Sequence, residues 1–126
     1  MTAVRSFEDL IAWQKAMDLV VAVYATVATP SIARDFGLTN QMRRAAVSIP
    51  SNIAEGFDRG SRAEFHHFLS IAKGSCAEVR SHVEVCRRVG YLSDDEANIL
   101  SARTIEVSRI LGALRITVER QRSKKG

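Results

Sequence analysis

The segment Gln41-Met42-Arg43-Arg44-Ala45-Ala46-Val47-Ser48-Ile49-Pro50-Ser51-Asn52-Ile53-Ala54-Glu55-Gly56 restricts the fold more than any other part of the chain. Its apolar and small residues recur at helical spacing, yet Pro50 falls in the interior. A proline there removes one backbone hydrogen bond and costs about 3 kcal/mol or more unless its surroundings compensate. The carbonyl of Ala46 loses its helical donor, so a nearby Arg or Ser, or a packed neighbour, must make good the loss. On a helical wheel, Met42, Ala45, Ile49, Ile53 and Gly56 form a core face. Gln41, Arg44, Ser48, Asn52, Glu55 and Arg59 form a narrow polar stripe beside it. The third face holds Arg43, Val47, Pro50 and Ala54, mostly apolar where a lone helix would meet water. Such a face suggests a contact between subunits; a kinked helix with scattered surface apolars is the alternative.

A chain of 126 residues has room for one domain with its own core and is short for two. Nearly half of it is apolar and a quarter is charged, a globular composition. No apolar run reaches the roughly 18–20 residues of a membrane span, and residues 1–6 lack the layout of a signal peptide. A cytoplasmic location with no membrane partner is therefore expected. The net charge of +4 permits an anionic partner and serves solubility equally well. Cys76 and Cys86 are separated by about 15 Å if they share one helix. That is too far for a disulfide, and both fit an apolar stripe as reduced core residues.

Four helices are expected, over about 7–28, 40–58, 62–89 and 94–120, followed by a frayed basic tail over 120–126. Ser6 with Asp9 resembles a capping box at the first start. Leu10, Trp13, Met17, Val20, Tyr24 and Val27 supply its helical seam, and Thr29-Pro30 ends it. Thr39 is a plausible N-cap for the second helix. Ser61 with Glu64 opens the third, which carries Phe65, Phe68, Ala72, Cys76, Val79, Val83 and Cys86 on one stripe and stops at Gly90. Ser93 with Glu96 caps the fourth, where Asp94 and Asp95 suit the helix dipole. There Ala97, Leu100, Thr104, Val107, Leu111, Leu114 and Val118 repeat with heptad spacing. No segment alternates with period two. The fold class expected is all-α, an antiparallel up-down four-helix bundle in one domain.

The third helix has a second stripe of His67, Ile71, Gly74, Glu78, Ser81 and Val85, whose small residues would let another helix approach. Ile71 and Gly74 join Val47, Pro50 and Ala54 as candidate oligomer contacts. A basic ladder of Arg62, Lys73, Arg80 and Arg87 runs along the outer side, with His66 close by. Three of its members lie seven residues apart and span about 21 Å. Cations in such a row can track phosphates, whose neutralisation releases counterions; a merely solvated face interrupted by Glu84 is the other reading.

Little else points to chemistry. Glu64-x-x-His67 has the spacing of a di-metal bundle site, but such sites need a second pair and two more glutamates. Glu78 and His82 alone would bind a metal weakly. Ser48, Asn52 and Glu55 have no histidine beside them in sequence, and a hydrogen-bonded network of Gln41, Ser48, Asn52 and Glu55 suits them better. Gly-rich phosphate loops and zinc spacings are missing from the sequence. No catalytic residue, metal or cofactor is expected.

The chain resembles a bacterial family of four-helix-bundle proteins named after reading frames in intervening sequences of 23S ribosomal RNA genes. That family is similar to the accessory variability determinant of diversity-generating retroelements. The resemblance rests on Phe7-x-x-Leu10 with Trp13-Gln14-Lys15-Ala16, on Gly37-Leu38-Thr39-x-Gln41-x-Arg43-Arg44-Ala45-Ala46, and on Ser48 through Gly56. Glu64-Phe65, Phe68-Leu69, Ile71-Ala72-x-Gly74-Ser75, Glu78 and Val89-Gly90-Tyr91-Leu92 extend it over nearly the whole chain. One departure is Arg34, where relatives tend to carry a glutamate; here the acid is Asp35. The resemblance implies a homopentamer around a central channel. In the retroelement branch it also implies binding to a reverse transcriptase and to nucleic acid through basic surfaces. Function transfers less safely than fold. The expectation is a non-enzymatic accessory that contacts RNA or DNA through Arg43, Arg44, Arg59, Arg62, Lys73, Arg80 and Arg87, or else a protein-interaction module with no nucleic-acid role.

Overall fold

The computed structural model describes residues 3–125, and the side chains of 3–121. All regular structure among them is helical. A 3-10 turn over Phe7–Asp9 precedes α1 (Ile11–Val27), α2 (Pro30–Ala33), α3 (Phe36–Asp58), α4 (Arg62–Arg88) and α5 (Asp94–Lys125). The long helices form a bundle in which α4 packs on α3 and on α5, and α1 lies against α3 and α5.

Two starts follow their sequence signals. Ser61 Oγ accepts from the Glu64 amide at 3.3 Å. Ser93 and Glu96 form a full capping box, with bonds of 3.0 and 3.1 Å, so two otherwise unpaired amide donors at that terminus are used. The end of α4 is equally well specified. Gly90 sits at φ +83, the Tyr91 amide reaches the Cys86 carbonyl at 2.8 Å, and the Gly90 amide reaches Arg87 at 3.2 Å. Those two bonds are the Schellman pair, and a glycine at this left-handed position avoids the Cβ penalty.

Several boundaries differ from expectation. The first helix is broken at Leu10, whose ψ of 127 is extended, because Asp9 folds back to accept from the Arg5 and Ser6 amides at 2.8 and 3.2 Å. Pro30 opens an extra single turn, α2, at a position where its missing N–H costs nothing. The N-cap of α3 is Asp35, whose Oδ1 accepts from the Leu38 amide at 3.1 Å. Thr39 is buried inside the helix and its hydroxyl donates to the Phe36 carbonyl. Helix α5 continues to Lys125 rather than ending near 120; the side chains of the tail's Arg122, Lys124 and Lys125 lie outside the described residues.

The core stripe of α5 is the one expected apart from half-buried Leu114; that of α4 runs as expected from Ala72 to Cys86, but Leu69 and Ser75 join it and Phe65 and Phe68 are only half-buried. The stripe of α1 is rotated. Ala12, Ala16, Leu19, Val23 and Val27 face inward, while Met17 and Tyr24 are exposed and Trp13 and Val20 are half-buried. Helix α1 is apolar nearly all round, so two seams fit a three–four spacing, and the one lined by alanines allows the closer approach.

Candidate nucleic-acid interface

The polar stripe of α3 meets α4 at a small hydroxyl cluster. Ser48 Oγ lies 2.8 Å from Ser75 Oγ, and Asn52 Nδ2 donates to the Ser48 carbonyl at 2.8 Å and to its hydroxyl at 2.9 Å. Ser75 was not singled out in the sequence, because it reads as one more small residue beside a core stripe. The other members of the stripe do not join this cluster. Glu55 turns to Arg59 at 2.8 Å. Gln41 is exposed and lines a cavity of about 420 Å³ with Arg44, Ser48, Glu78 and His82. Ser48 is thus held by Asn52 and Ser75, neither of which is a base able to activate it.

The seven candidate cations divide into two groups. On α3, Arg43 donates to Asn40 Oδ1 at 2.7 Å, and Arg44 is exposed between two cavities. Arg59 pairs with Glu55 at 2.8 Å and Glu64 at 4.0 Å, and its guanidinium lies 5.2 Å from the centre of the Phe68 ring. The hydrogen bond that Arg59 donates to Glu55 holds the guanidinium more firmly in its charged form, its pKa raised above the ordinary arginine value.

The α4 group runs along the seam with α5. Arg62 Nε donates to Gln121 at 3.3 Å. Lys73 is half-buried, with its ammonium over Gly112. Arg80 is exposed. Arg87 is drawn into a cluster with Asp94 at 3.1 Å, Glu84 at 3.2 Å and Asn98 at 2.7 Å, and the bond to Asp94 raises its pKa. The ladder is therefore not one uniform row: its Arg87 end is neutralised by local acids, and its Arg62–Lys73 end is not.

At that second end α5 supplies cations absent from the expected set. A cleft of about 720 Å³ is lined by His66 and Lys73 of α4 and by Gly112, Arg115, Ile116, Glu119 and Arg120 of α5. His66 Nε2 stands 3.7 Å from Glu119. The α5 residues recur every three or four positions, a spacing visible in the sequence but masked there by the heptad seam and by the assumption that the tail frays. Among the described residues no group of three or more His, Cys, Asp or Glu side chains is placed to hold a metal ion. No helix among them is long and apolar enough to cross a membrane.

The candidate interface residues separate as well. Val47 is 39% exposed and Ala54 half-buried, both on the outward side of α3. Pro50 is buried within the single chain and not exposed to another subunit. Ile71 is exposed on α4, as is Gly74, with nothing near the position a side chain would occupy.

Among curated proteins none matches the sequence. Among solved structures, a protein of unknown function from the S23 ribosomal protein family of Bacteroides thetaiotaomicron has a similar fold. It has a TM-score of 0.76 and 22% identity, with 83% of this chain and 98% of that one covered. The family profile of the 23S rRNA-intervening sequence protein matches residues 8–113. With its helical order, its Ser48–Gly56 helix and that match, the chain belongs to the 23S rRNA-intervening sequence protein family.

Proposed function

We propose that this protein is a non-enzymatic accessory that binds RNA, or a ribonucleoprotein partner such as a reverse transcriptase, through basic surfaces in the cytoplasm. The observation that carries this reading is the gathering of cations from two helices, Arg62 and Lys73 with Arg115 and Arg120, at one end of the α4–α5 seam. Phosphate neutralisation by such a group releases counterions, so binding falls steeply with salt. Purified protein on immobilised single-stranded RNA tests it: retention at low ionic strength, lost on raising the salt, is expected. No retention at low ionic strength would overturn the reading.

In this proposal the long helices form an antiparallel four-helix bundle, and copies assemble into a ring, five in number by the family resemblance. Two separate faces carrying exposed apolar residues support it. One holds Met17, Val21 and Tyr24 of α1 with Val47 of α3, and the other is the α4 face on which Ile71 and Val85 flank Gly74, Glu78 and Ser81. A rotational ring pairs unlike patches on neighbouring copies, and two patches on different helices meet that need.

A second reading, a protein-interaction module whose basic residues are only solvated, is favoured by the ion pairs of Arg59 and Arg87. Capture of a partner that persists after nuclease treatment would decide for it.

A further inference from the structure

We propose that the α4–α5 cleft is a nucleotide subsite. Its phosphate sits against Lys73, Arg115 and Arg120, and its base lies over Gly112 and Ile116, whether the nucleotide is free or one unit of an RNA strand. The RNA arm rests on the function proposed above; the free-nucleotide arm does not.

Size and shape come first. At about 720 Å³ the cleft falls within the ~300–1,000 Å³ usual for small-molecule sites. Its floor is open because Gly112 has no side chain: a Cβ there would stand 3.3 Å from Lys73 Nζ. Ile116 is 55% exposed beside it, which gives a flat base an apolar surface.

The charges are of the right sign. Among the described residues, the carboxylate partners that hold Arg59 and Arg87 have no equivalent at Lys73, Arg115 or Arg120. The acid in the cleft, Glu119, faces His66 at 3.7 Å. Arg115 Nε is shielded from solvent and has no hydrogen-bond partner among the described residues. A buried donor of that kind carries a free-energy penalty that a phosphate oxygen would relieve. Arg115, Ile116, Glu119 and Arg120 also lie beyond residue 113, where the family match ends. The α5 wall of the cleft thus lies largely outside the matched region, while His66, Lys73 and Gly112 lie within it.

The test uses the full chain and two probes: a fluorescein-labelled oligouridylate, followed by anisotropy, and UMP, followed by amide chemical shifts. Gly112→Leu fills the cleft and leaves every charge in place; Lys73→Gln with Arg115→Gln removes the charges and leaves the space. Arg34→Gln, at an exposed arginine just after α2, controls for the loss of a surface charge away from the cleft. Both cleft variants are expected to lose roughly tenfold or more in oligouridylate affinity, and the control less than about twofold. In wild type, UMP should shift the amides around Gly112 and Ile116.

Wild-type affinity in Gly112→Leu, with its helical circular dichroism intact, would overturn the cleft while leaving RNA binding standing elsewhere. If Gly112→Leu does not fold, the charge pair and the wild-type shifts decide. Shifts from UMP without oligouridylate binding would support the subsite and overturn the RNA reading. No binding of either probe would overturn both.

Discussion

His82 carries the most legible tension at the scale of a single residue. Its Nδ1 is shielded from solvent and unpartnered among the described residues. Desolvation pushes its pKa below the ordinary 6.5, against an opposing pull from Glu78 one turn away. A histidine whose folded pKa is lowered takes up protons more readily when unfolded. Its contribution to stability is therefore complete above about 6.5 and is lost as pH falls from there towards the folded pKa. Urea midpoints between about pH 7 and about pH 5 should fall less steeply for His82→Gln than for wild type. Superimposable pH profiles would show that the imidazole is not held neutral. Asp35 is a different case. The sequence marks it as an acid displaced by one position from the family pattern, and the fold gives it two tasks: capping α3 and accepting from Tyr91 Oη at 3.0 Å. The first follows from a local pattern; the second joins residues 56 apart in sequence, across α3 and α4, and has no local signature.

Between elements, Gly56 sets how closely α3 approaches α4. A Cβ at Gly56 would stand 2.6 Å from Phe68 Cβ and 3.2 Å from Phe65 Cδ1. Alanine in a helix interior gains up to about 1 kcal/mol over glycine, but overpacking a tight contact costs about 1–3 kcal/mol. Phe68 Cβ is fixed to the backbone and cannot swing aside, so the steric cost should win. Gly56→Ala is expected to lower unfolding stability by about 1–2 kcal/mol, measured by urea denaturation; an increase would mean the helices part easily. The sequence exposed much of this architecture. Ser61, Ser93 and Gly90 announce their boundaries through short-range hydrogen bonding, and α4 and α5 have polar flanks that leave one choice of core face. Helix α1 has no such flanks, so its periodicity alone could not choose between the seam with Met17 and Tyr24 and the one with Ala12 and Ala16. The α4–α5 cleft was missed for a related reason: Arg115 and Arg120 gain meaning only when Lys73, some forty residues earlier, is placed opposite them.

For the molecule as a whole, the question is what covers its apolar exterior. Val21 is 66% exposed and Tyr24 46%, and Tyr24 shares a cavity wall with Val47. Exposed apolar side chains on two adjoining helices are expected to be buried between copies. Light scattering should give a mass several times the 13.9 kDa of one chain. Val21→Asp with Val47→Asp should return it to a monomer while helical content stays unchanged, because both side chains point away from the core. A monomeric wild type would refute the assembly.

The hydrogen bonds around Tyr91 also bear on how the chain is divided. Ser31 Oγ donates to the Tyr91 carbonyl at 3.1 Å while Tyr91 Oη donates to Asp35, so one tyrosine fastens the connection between α1 and α3 to the turn between α4 and α5. The connection between α3 and α4, at Arg59–Ser61, is short and exposed. The protein thus divides into two segments, one ending at Arg59 and the other beginning at Ser61, fastened to each other by the hydrogen bonds of Tyr91 as well as by the core. A cut at Gly60 would leave both halves still fastened to each other. Of the connections between the long helices, this is the one where an unbroken chain matters least.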